Sequence, residues 1–303
     1  MGGTRMQTFA FIGLGNMGGG MAANQAKAGR SVRAFDLSAA AIAKAADAGC
    51  VACSSAAEAV DGADAVITML PAGKHVISVY ETDILPNAKD EALLIDCSTI
   101  DVESARQVAE QARSAGKAFR AADAPVSGGT AAADAGSLAF MVGCAEADFQ
   151  AVETALDPMS RVTIHAGESG AGQAAKICNN MLLGISMIGT CEAFALAERL
   201  GLSAERFYDI SSQSSGQNWS MTSYCPVEGV GPASPADRNF EGGFASDMML
   251  KDLRLAKEAA ISAGAVTPLG GHAEALYALL SEQGLGGKDF SSVIELLAKG
   301  TVE

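Results

Sequence analysis

Positive charge is scarce in this sequence. Its 303 residues carry 21 Lys and Arg against 35 Asp and Glu, a formal net charge of −14 at pH 7. A surface of that sign repels nucleic acid and anionic membrane, which argues against both as partners. Histidine is scarcer still, with only His75, His165 and His272. None of them stands with a cysteine at ligand spacing. The Cys50-x-x-Cys53 pair therefore lacks the two further ligands that a structural zinc needs, and no metal is expected. The seven cysteines are odd in number, scattered and without a secretion signal, a pattern of reduced thiols. Cys50 and Cys53 then read as buried thiols flanking a strand. No uninterrupted apolar run reaches about 18 residues, so no transmembrane helix is expected. The opening MGGTRMQT has no apolar signal core, and Met6 stands where myristoylation would need Ser or Thr. Together these readings predict a soluble, cytoplasmic protein.

What is present is apolar and glycine-rich. The chain is 49% hydrophobic with 34 glycines, and its length suggests two domains. Thr8–Ile12 reads as a central parallel strand that breaks at glycine. It runs into Gly13-Leu14-Gly15-Asn16-Met17-Gly18, a G-x-G-x-x-G, then a helical stretch to Gly29 and a second strand, Ser31–Phe35, closed by Asp36. Strand, glycine turn, helix, strand and terminal acid in that order form a dinucleotide-binding pattern. Gly13 permits the tight turn, Gly15 lets backbone N–H groups approach a pyrophosphate, and Gly18 allows close helix–strand packing. Asp36 would accept hydrogen bonds from ribose hydroxyls and repel a 2′-phosphate, and no arginine follows it, so NAD is preferred over NADP. Arg33, inside the strand, reads as a surface contact rather than a phosphate clamp.

Further strands follow. Ala63–Leu70 ends at Pro71, Ala92–Cys97 ends at Ser98-Thr99, and Phe119–Val126 opens into Ser127-Gly128-Gly129. Ala139–Gly143 and Val162–Ala166 extend the sheet, with His165 in a structural role. Ligands gather at the carboxyl ends of such strands, where Leu70, Pro71, Thr99 and Ser127–Gly129 fall. Beyond Gly167 the strand patterns stop. Gly172–Leu200 reads as one long helix ending at Gly201, followed by helices over 202–214, 246–263, 269–282 and 290–299, with Ser292 and Glu295 as a capping box for the last. The expected fold is an α/β Rossmann-type domain over 1–167 and an all-α domain over 168–303, joined by the bridging helix 172–200.

Lys176 stands inside one of the most apolar parts of that helix, and Asn180 lies one turn further along the same face. Gln173 joins that face from the preceding turn, and Asn179 lies beside it. Two readings are open. Lys176 reaches solvent along its own stem, or it is an acid/base group whose pKa burial lowers, with Asn180 positioning it or the substrate. Ser127-Gly128-Gly129, with a hydroxyl and closely spaced N–H groups, suits a carboxylate. The chemistry these parts suggest is reversible oxidation of an alcohol that carries a nearby carboxylate.

Phe11-I-G-L-G-N-M-Gly18, Asp123-A-P-V-S-G-Gly129 and Gly172-Q-A-A-K-I-C-N-Asn180, in this order, resemble the signatures of the β-hydroxyacid dehydrogenase family. Met69–Val76, Ser214–Trp219, Lys251–Leu253 and Asp289–Ser292 add to the likeness, which runs from about Met6 to the C-terminus. The resemblance implies that Lys176 takes the hydroxyl proton, with Asn180 assisting, as hydride leaves for NAD. It also implies that Ser127, Gly128 and Gly129 hold the substrate carboxylate, and that Trp219 and Phe244, with Asn179 nearby, line the rest of the substrate pocket. Leu70, Pro71, Thr99 and Lys251 become cofactor contacts, and Asp252 a partner for Lys176. Lys251 pairing with Asp247 on a helix surface is the plainer alternative. The implied reaction is oxidation of 3-hydroxyisobutyrate to methylmalonate semialdehyde, a step of valine breakdown, in a homodimer or homotetramer. Reduction of tartronate semialdehyde or another short semialdehyde is the alternative within the family, and a non-catalytic NAD-binding module the alternative outside it. Three places depart from the pattern: Gly20 where relatives often carry proline, Cys144 in place of glycine, and an alanine-rich Thr130–Ala133.

Overall fold

Residues of the first strand, β1 (Thr8–Ile12), divide between two apolar layers, Phe9 and Phe11 in one and Ala10 and Ile12 in the other. A strand buried on both faces belongs inside a parallel sheet with helices above and below. The computed structural model, which describes residues 6–298, has that arrangement. After β1 come α1 (Gly18–Lys27), β2 (Ser31–Phe35), α2 (Ala39–Asp47), β3 (Val51–Ala52), α3 (Ala56–Val60), β4 (Ala65–Thr68), α4 (Gly73–Val79) and the short α5 (Leu85–Asn87). Then follow β5 (Leu93–Asp96), α6 (Val102–Ser114), β6 (Arg120–Asp123), β7 (Val126–Ser127), α7 (Gly129–Ala135), β8 (Leu138–Gly143), α8 (Phe149–Leu156) and β9 (Ser160–Gly167). Among the described residues the nine strands make one sheet in the order β3-β2-β1-β4-β5-β6-β8-β7, with β9 beside β8. The first six strands are mutually parallel, while β8 runs antiparallel to β6 and β7 and parallel to β9.

One layer packs Phe9, Phe11, Ile67 and Ile95 under Met21 of α1 and Val152 and Leu156 of α8. The other packs Ile12, Val66 and Leu94 under α3, α4 and α6. Cys50 and Cys53 stand at the two ends of β3 in different layers, so they flank the strand without facing each other, and all seven cysteines are free thiols. Arg33 donates to the carbonyls of Glu58 and Asp61, a surface contact as its place inside β2 suggests.

The long helix α9 covers Ala171–Arg199. The chain divides into two compact units, one ending at Lys176 and the other starting at Ile177, so the division falls inside this helix. By length and composition α9 is apolar enough to cross a membrane, although no uninterrupted apolar run marks it in the sequence. Four of its polar side chains, Gln173, Lys176, Asn180 and Thr190, are nevertheless buried. In the second unit Met187, Ile188 and Cys191 of α9 pack with Met249, Leu250 and Leu253 of α12 (Ser246–Ala263) and Ala273, Tyr277 and Leu280 of α13 (Pro268–Leu280). Between α9 and α12 lie α10 (Ala204–Ser211), shorter than the expected 202–214, and the single turn α11 (Trp219–Thr222).

The last helix differs from expectation at its start. A 3₁₀ turn, Phe290–Ser292, precedes α14 (Val293–Ala298). Asp289 caps that turn by accepting from the Ser291 amide, and the buried Ser292 hydroxyl has no hydrogen-bond partner among the described residues. The Ser292–Glu295 capping box is therefore not formed, because Asp289 already starts the chain into helical geometry three residues earlier. Lys299 lies outside the described residues.

Two of the sequence departures meet in space. A Cβ on Gly20 of α1 would strike the Asp134 carboxyl of α7 and come within 3.0 Å of the Asp134 nitrogen and 3.1 Å of the Ala133 carbonyl carbon. The bare glycine and the alanine-rich turn thus let α1 and α7 touch backbone to backbone. Gly20→Ala should lower thermal stability despite a gain in helix propensity of about 1 kcal/mol, because overpacking costs about 1–3 kcal/mol. Adding Asp134→Ala should recover only part of the loss, since the backbone contacts remain; full recovery in a melting experiment would contradict this.

Candidate active site

The dinucleotide turn is built around missing side chains. Gly13 sits at φ +94°, and a Cβ there would run into the Met69 carbonyl. One on Gly18 would run into the carbonyl of Gly13, while the Cβ position of Gly15 opens onto empty space. The α1 start has no side-chain cap and no acid in its first turn, so its positive pole is left for an anion. Asp36, at the end of β2, accepts from the Leu14 amide at 2.6 Å and the Ser38 amide at 2.7 Å. An open cradle of amides with one acid beside it fits a dinucleotide, with Asn16 exposed and Met17 half-buried on the turn.

At the ends of β4 and β5 the polar groups interlock. The Leu70 amide donates to Ser98 Oγ at 2.7 Å, and Ser98 Oγ donates to Asp96 Oδ1 at 2.6 Å, as does Thr68 Oγ1. Asp96 Oδ2 is buried with no hydrogen-bond partner among the described residues. Burial raises the Asp96 carboxyl above its ordinary range against the pull of those hydroxyls. Pro71 is exposed and Thr99 half-buried beside this network.

Asp123 ends β6 directly opposite Asp96 in the ladder. Its Oδ1 accepts from the Gly170 amide at 2.6 Å and its Oδ2 from the Gln173 amide at 2.8 Å, so it caps the start of α9. Gln173 opens this polar stretch of the helix. Its side chain is fully buried and turns to the end of β5, accepting from the Ile100 amide at 3.1 Å and donating to the Ser98 carbonyl at 2.7 Å. Lys176 follows one turn later and is 7% exposed. In the same unit Ser127 ends β7, and Gly128 (φ +140°) and Gly129 (φ +71°) turn the chain into α7.

In the second unit the Asn180 side chain is held at both ends. Asn179 Nδ2 donates to its Oδ1 at 3.0 Å, and its own Nδ2 donates to Asp252 Oδ2 at 2.5 Å. Lys251 Nζ lies 3.9 Å from Asp252 Oδ1, while Asp247 accepts from Ser281. Burial holds the Lys251 ammonium below its usual range, opposed by Asp252. Trp219 and Phe244 belong to one aromatic row through residues the sequence did not single out. Trp219 stacks on Tyr224 (centroids 5.0 Å), Tyr224 leans on Phe290 (5.5 Å) and Phe290 meets Phe244 edge-on (5.8 Å). Asp289, fully buried, pins this row by accepting from Tyr224 Oη at 2.8 Å and the Phe244 amide at 2.7 Å. Its other oxygen accepts from the Ser291 amide and hydroxyl. His165 contacts the Cys144 carbonyl, Glu146 and the Phe149 ring, a structural place as expected.

A glycine turn at the carboxyl end of β1, closed by an acid just after β2, defines a dinucleotide-binding domain. Comparison with known proteins agrees. Residues 8–167 match the model of the NAD binding domain of 6-phosphogluconate dehydrogenase, and residues 170–297 match the NAD-binding domain of NADP-dependent 3-hydroxyisobutyrate dehydrogenase. A probable 3-hydroxyisobutyrate dehydrogenase of Mycobacterium tuberculosis is 47% identical over 292 residues, 96% of this chain and 98% of that one. An NAD-dependent L-serine dehydrogenase of Pseudomonas aeruginosa is 47% identical over 296 residues, with the same coverage. The solved structure of the M. tuberculosis 3-hydroxyisobutyrate dehydrogenase with L-serine superposes at a TM-score of 0.93, covering 96% of this chain and 99% of that one at 47% identity. The chain belongs to the β-hydroxyacid dehydrogenase family and is an NAD-dependent oxidoreductase.

The Asp123 cap makes a pH prediction. Burial, reinforced by the neighbouring Asp96, pushes its carboxyl from 3.8 up to about 6 even though two amides favour its charged form. A value higher in the folded than in the unfolded chain favours folding below about pH 4, and that contribution is lost as pH rises through 6. The difference is on the order of 3 kcal/mol. In denaturant unfolding, the stability of the wild type relative to Asp123→Asn should therefore decline between pH 4 and 6.5; a flat or rising difference would contradict the assignment.

Proposed function

We propose that this protein oxidises 3-hydroxyisobutyrate to methylmalonate semialdehyde, a step of valine breakdown, using NAD. The observation that carries the reading is the polar start of α9. Lys176 is buried one turn after the Asp123-capped first turn, and one turn further on lies an asparagine whose amide orientation is set by Asn179 and Asp252. NAD, when bound, supplies the hydride acceptor. Gly13–Gly18 and the α1 start hold its pyrophosphate, Asp36 takes the ribose hydroxyls and disfavours a 2′-phosphate, and Leu70, Pro71, Thr99 and Lys251 contact the rest. The Ser127 hydroxyl and the amides of Gly128 and Gly129 bind the substrate carboxylate. Lys176, acting as an amine, removes the hydroxyl proton and becomes the ammonium as the C–H hydride departs. Asn180 orients the hydroxyl.

The aromatic row supports a methyl branch on the substrate. Trp219 and Phe244 present carbon, backed by Tyr224 and the buried Phe290, and the Asp289 carboxyl that pins them has both oxygens engaged. L-Serine, the substrate in the name of one relative, is the second reading; it carries an ammonium where 3-hydroxyisobutyrate carries the methyl. Free thiols support a cytoplasmic location. Leu182 and Leu196, both more than half exposed on one side of α9, support a homodimer or homotetramer that covers them.

A substrate panel with both cofactors tests the reading. Catalytic efficiency for 3-hydroxyisobutyrate with NAD should exceed that for L-serine and for tartronate semialdehyde reduction by about tenfold or more. The reverse order by the same margin would overturn the substrate assignment. Lys176→Ala should keep NAD affinity and lose at least about 100-fold in kcat. Near-normal turnover in that variant would remove Lys176 from the chemistry.

A further inference from the structure

We propose that Gln173 is a positioning residue for hydride transfer, locking the Ser98–Ile100 turn that presents Thr99 to the first turn of the helix that presents Lys176. The inference rests on the reading of Thr99 as a cofactor contact and Lys176 as the proton acceptor, and goes beyond it to a side chain that touches neither reactant.

Three observations carry it. The side chain is fully buried, and both ends of its amide are used. Its oxygen takes the Ile100 amide at 3.1 Å and its nitrogen gives to the Ser98 carbonyl at 2.7 Å, so one planar group brackets Thr99 on both sides. Its main-chain nitrogen is held by Asp123 at 2.8 Å, so the residue cannot follow a displaced turn without breaking the α9 cap. There is also no slack around it. A Cβ on the preceding residue, Gly172, would strike the Met141 carbonyl and come within 2.8 Å of Asp123 Oδ2. The brace extends to Leu70 through Ser98 Oγ, which accepts the Leu70 amide at 2.7 Å. Two expected cofactor contacts and the start of the catalytic helix are thus tied to one buried amide. Replacing both hydrogen bonds by carbon would leave the Ile100 amide and the Ser98 carbonyl buried and unpaired, and the turn would shift to satisfy them.

The test uses Gln173→Leu and Gln173→Met in the full-length enzyme, assayed with whichever hydroxy acid the wild type oxidises best. Failure of the 3-hydroxyisobutyrate assignment therefore leaves this test readable. Turnover should fall by about tenfold or more, since sub-ångström misplacement of reacting groups is costly. Affinity for ADP-ribose should stay within about twofold, because the pyrophosphate turn is untouched. The deuterium isotope effect from substrate labelled at the carbinol carbon should be fully expressed on kcat in the variants. A folded variant with kcat within about twofold of wild type would overturn the proposal. So would a loss of kcat matched by an equal loss of ADP-ribose affinity, the mark of general loosening. Independently of any variant, hydrogen exchange over residues 97–101 of the wild type without cofactor should be as slow as in the central strands. Rapid exchange of the Ile100 amide would overturn it as well.

Discussion

A carboxylate buried at the end of a parallel strand must find donors, and Asp123 finds them in the first turn of α9. That exchange sets where the longest helix of the chain begins and how it leaves the sheet. It also explains why Gly172 precedes Gln173, since the approach of Asp123 and the Met141 carbonyl leaves no space for a side chain. With the cap in place, Lys176 is no longer one lysine on an apolar helix. Its position follows from a hydrogen-bonded start three residues earlier.

Most buried polar groups of the first unit collect at the carboxyl ends of the strands, because the layers of the parallel sheet are apolar; Gln25, which donates to the Ala155 carbonyl, is an exception. The strands are apolar on both faces, and the helices above and below close off the layers. Thr68, Asp96, Ser98 and Asp123 share one rim, where Thr68 and Ser98 both donate to Asp96 and Asp123 lies beside Asp96 in the ladder while taking the first amides of α9. The two adjacent carboxyls on that rim are both raised by burial, and each is held against that rise by the hydrogen bonds it accepts.

The second unit solves a different problem with the same device. Its aromatic row would be free to slide were it joined only by ring contacts, which are weakly directional. Asp289 fixes it by taking the Tyr224 hydroxyl and the Phe244 amide together. Asp252 does the same for Asn180, leaving the orientation of that amide decided by its partners. In each case a buried acid holds, by hydrogen bonds, a group that the proposed function uses.

Much of this was legible in the residues alone. The strand–glycine–helix order, Asp36, the helical second half and Lys176 with Asn180 all follow from local periodicity and from spacing along one chain, which short-range sterics and helix geometry determine. The roles of Gln173, Asp123, Tyr224 and Asp289 were not legible. Gln173 lies one helical turn before Lys176, and its amide turns to a loop 73 positions away in sequence. Asp289 entered only through the resemblance at Asp289–Ser292 and proved to be the cap of the last helical stretch, as well as the anchor of two aromatic residues 45 and 65 positions distant. The sequence by itself determined which segments would be strands and helices and which chemical groups were on hand. Only the tertiary structure decided which buried polar group satisfies which, because hydrogen bonds between distant segments depend on how the layers stack and leave no period in the chain.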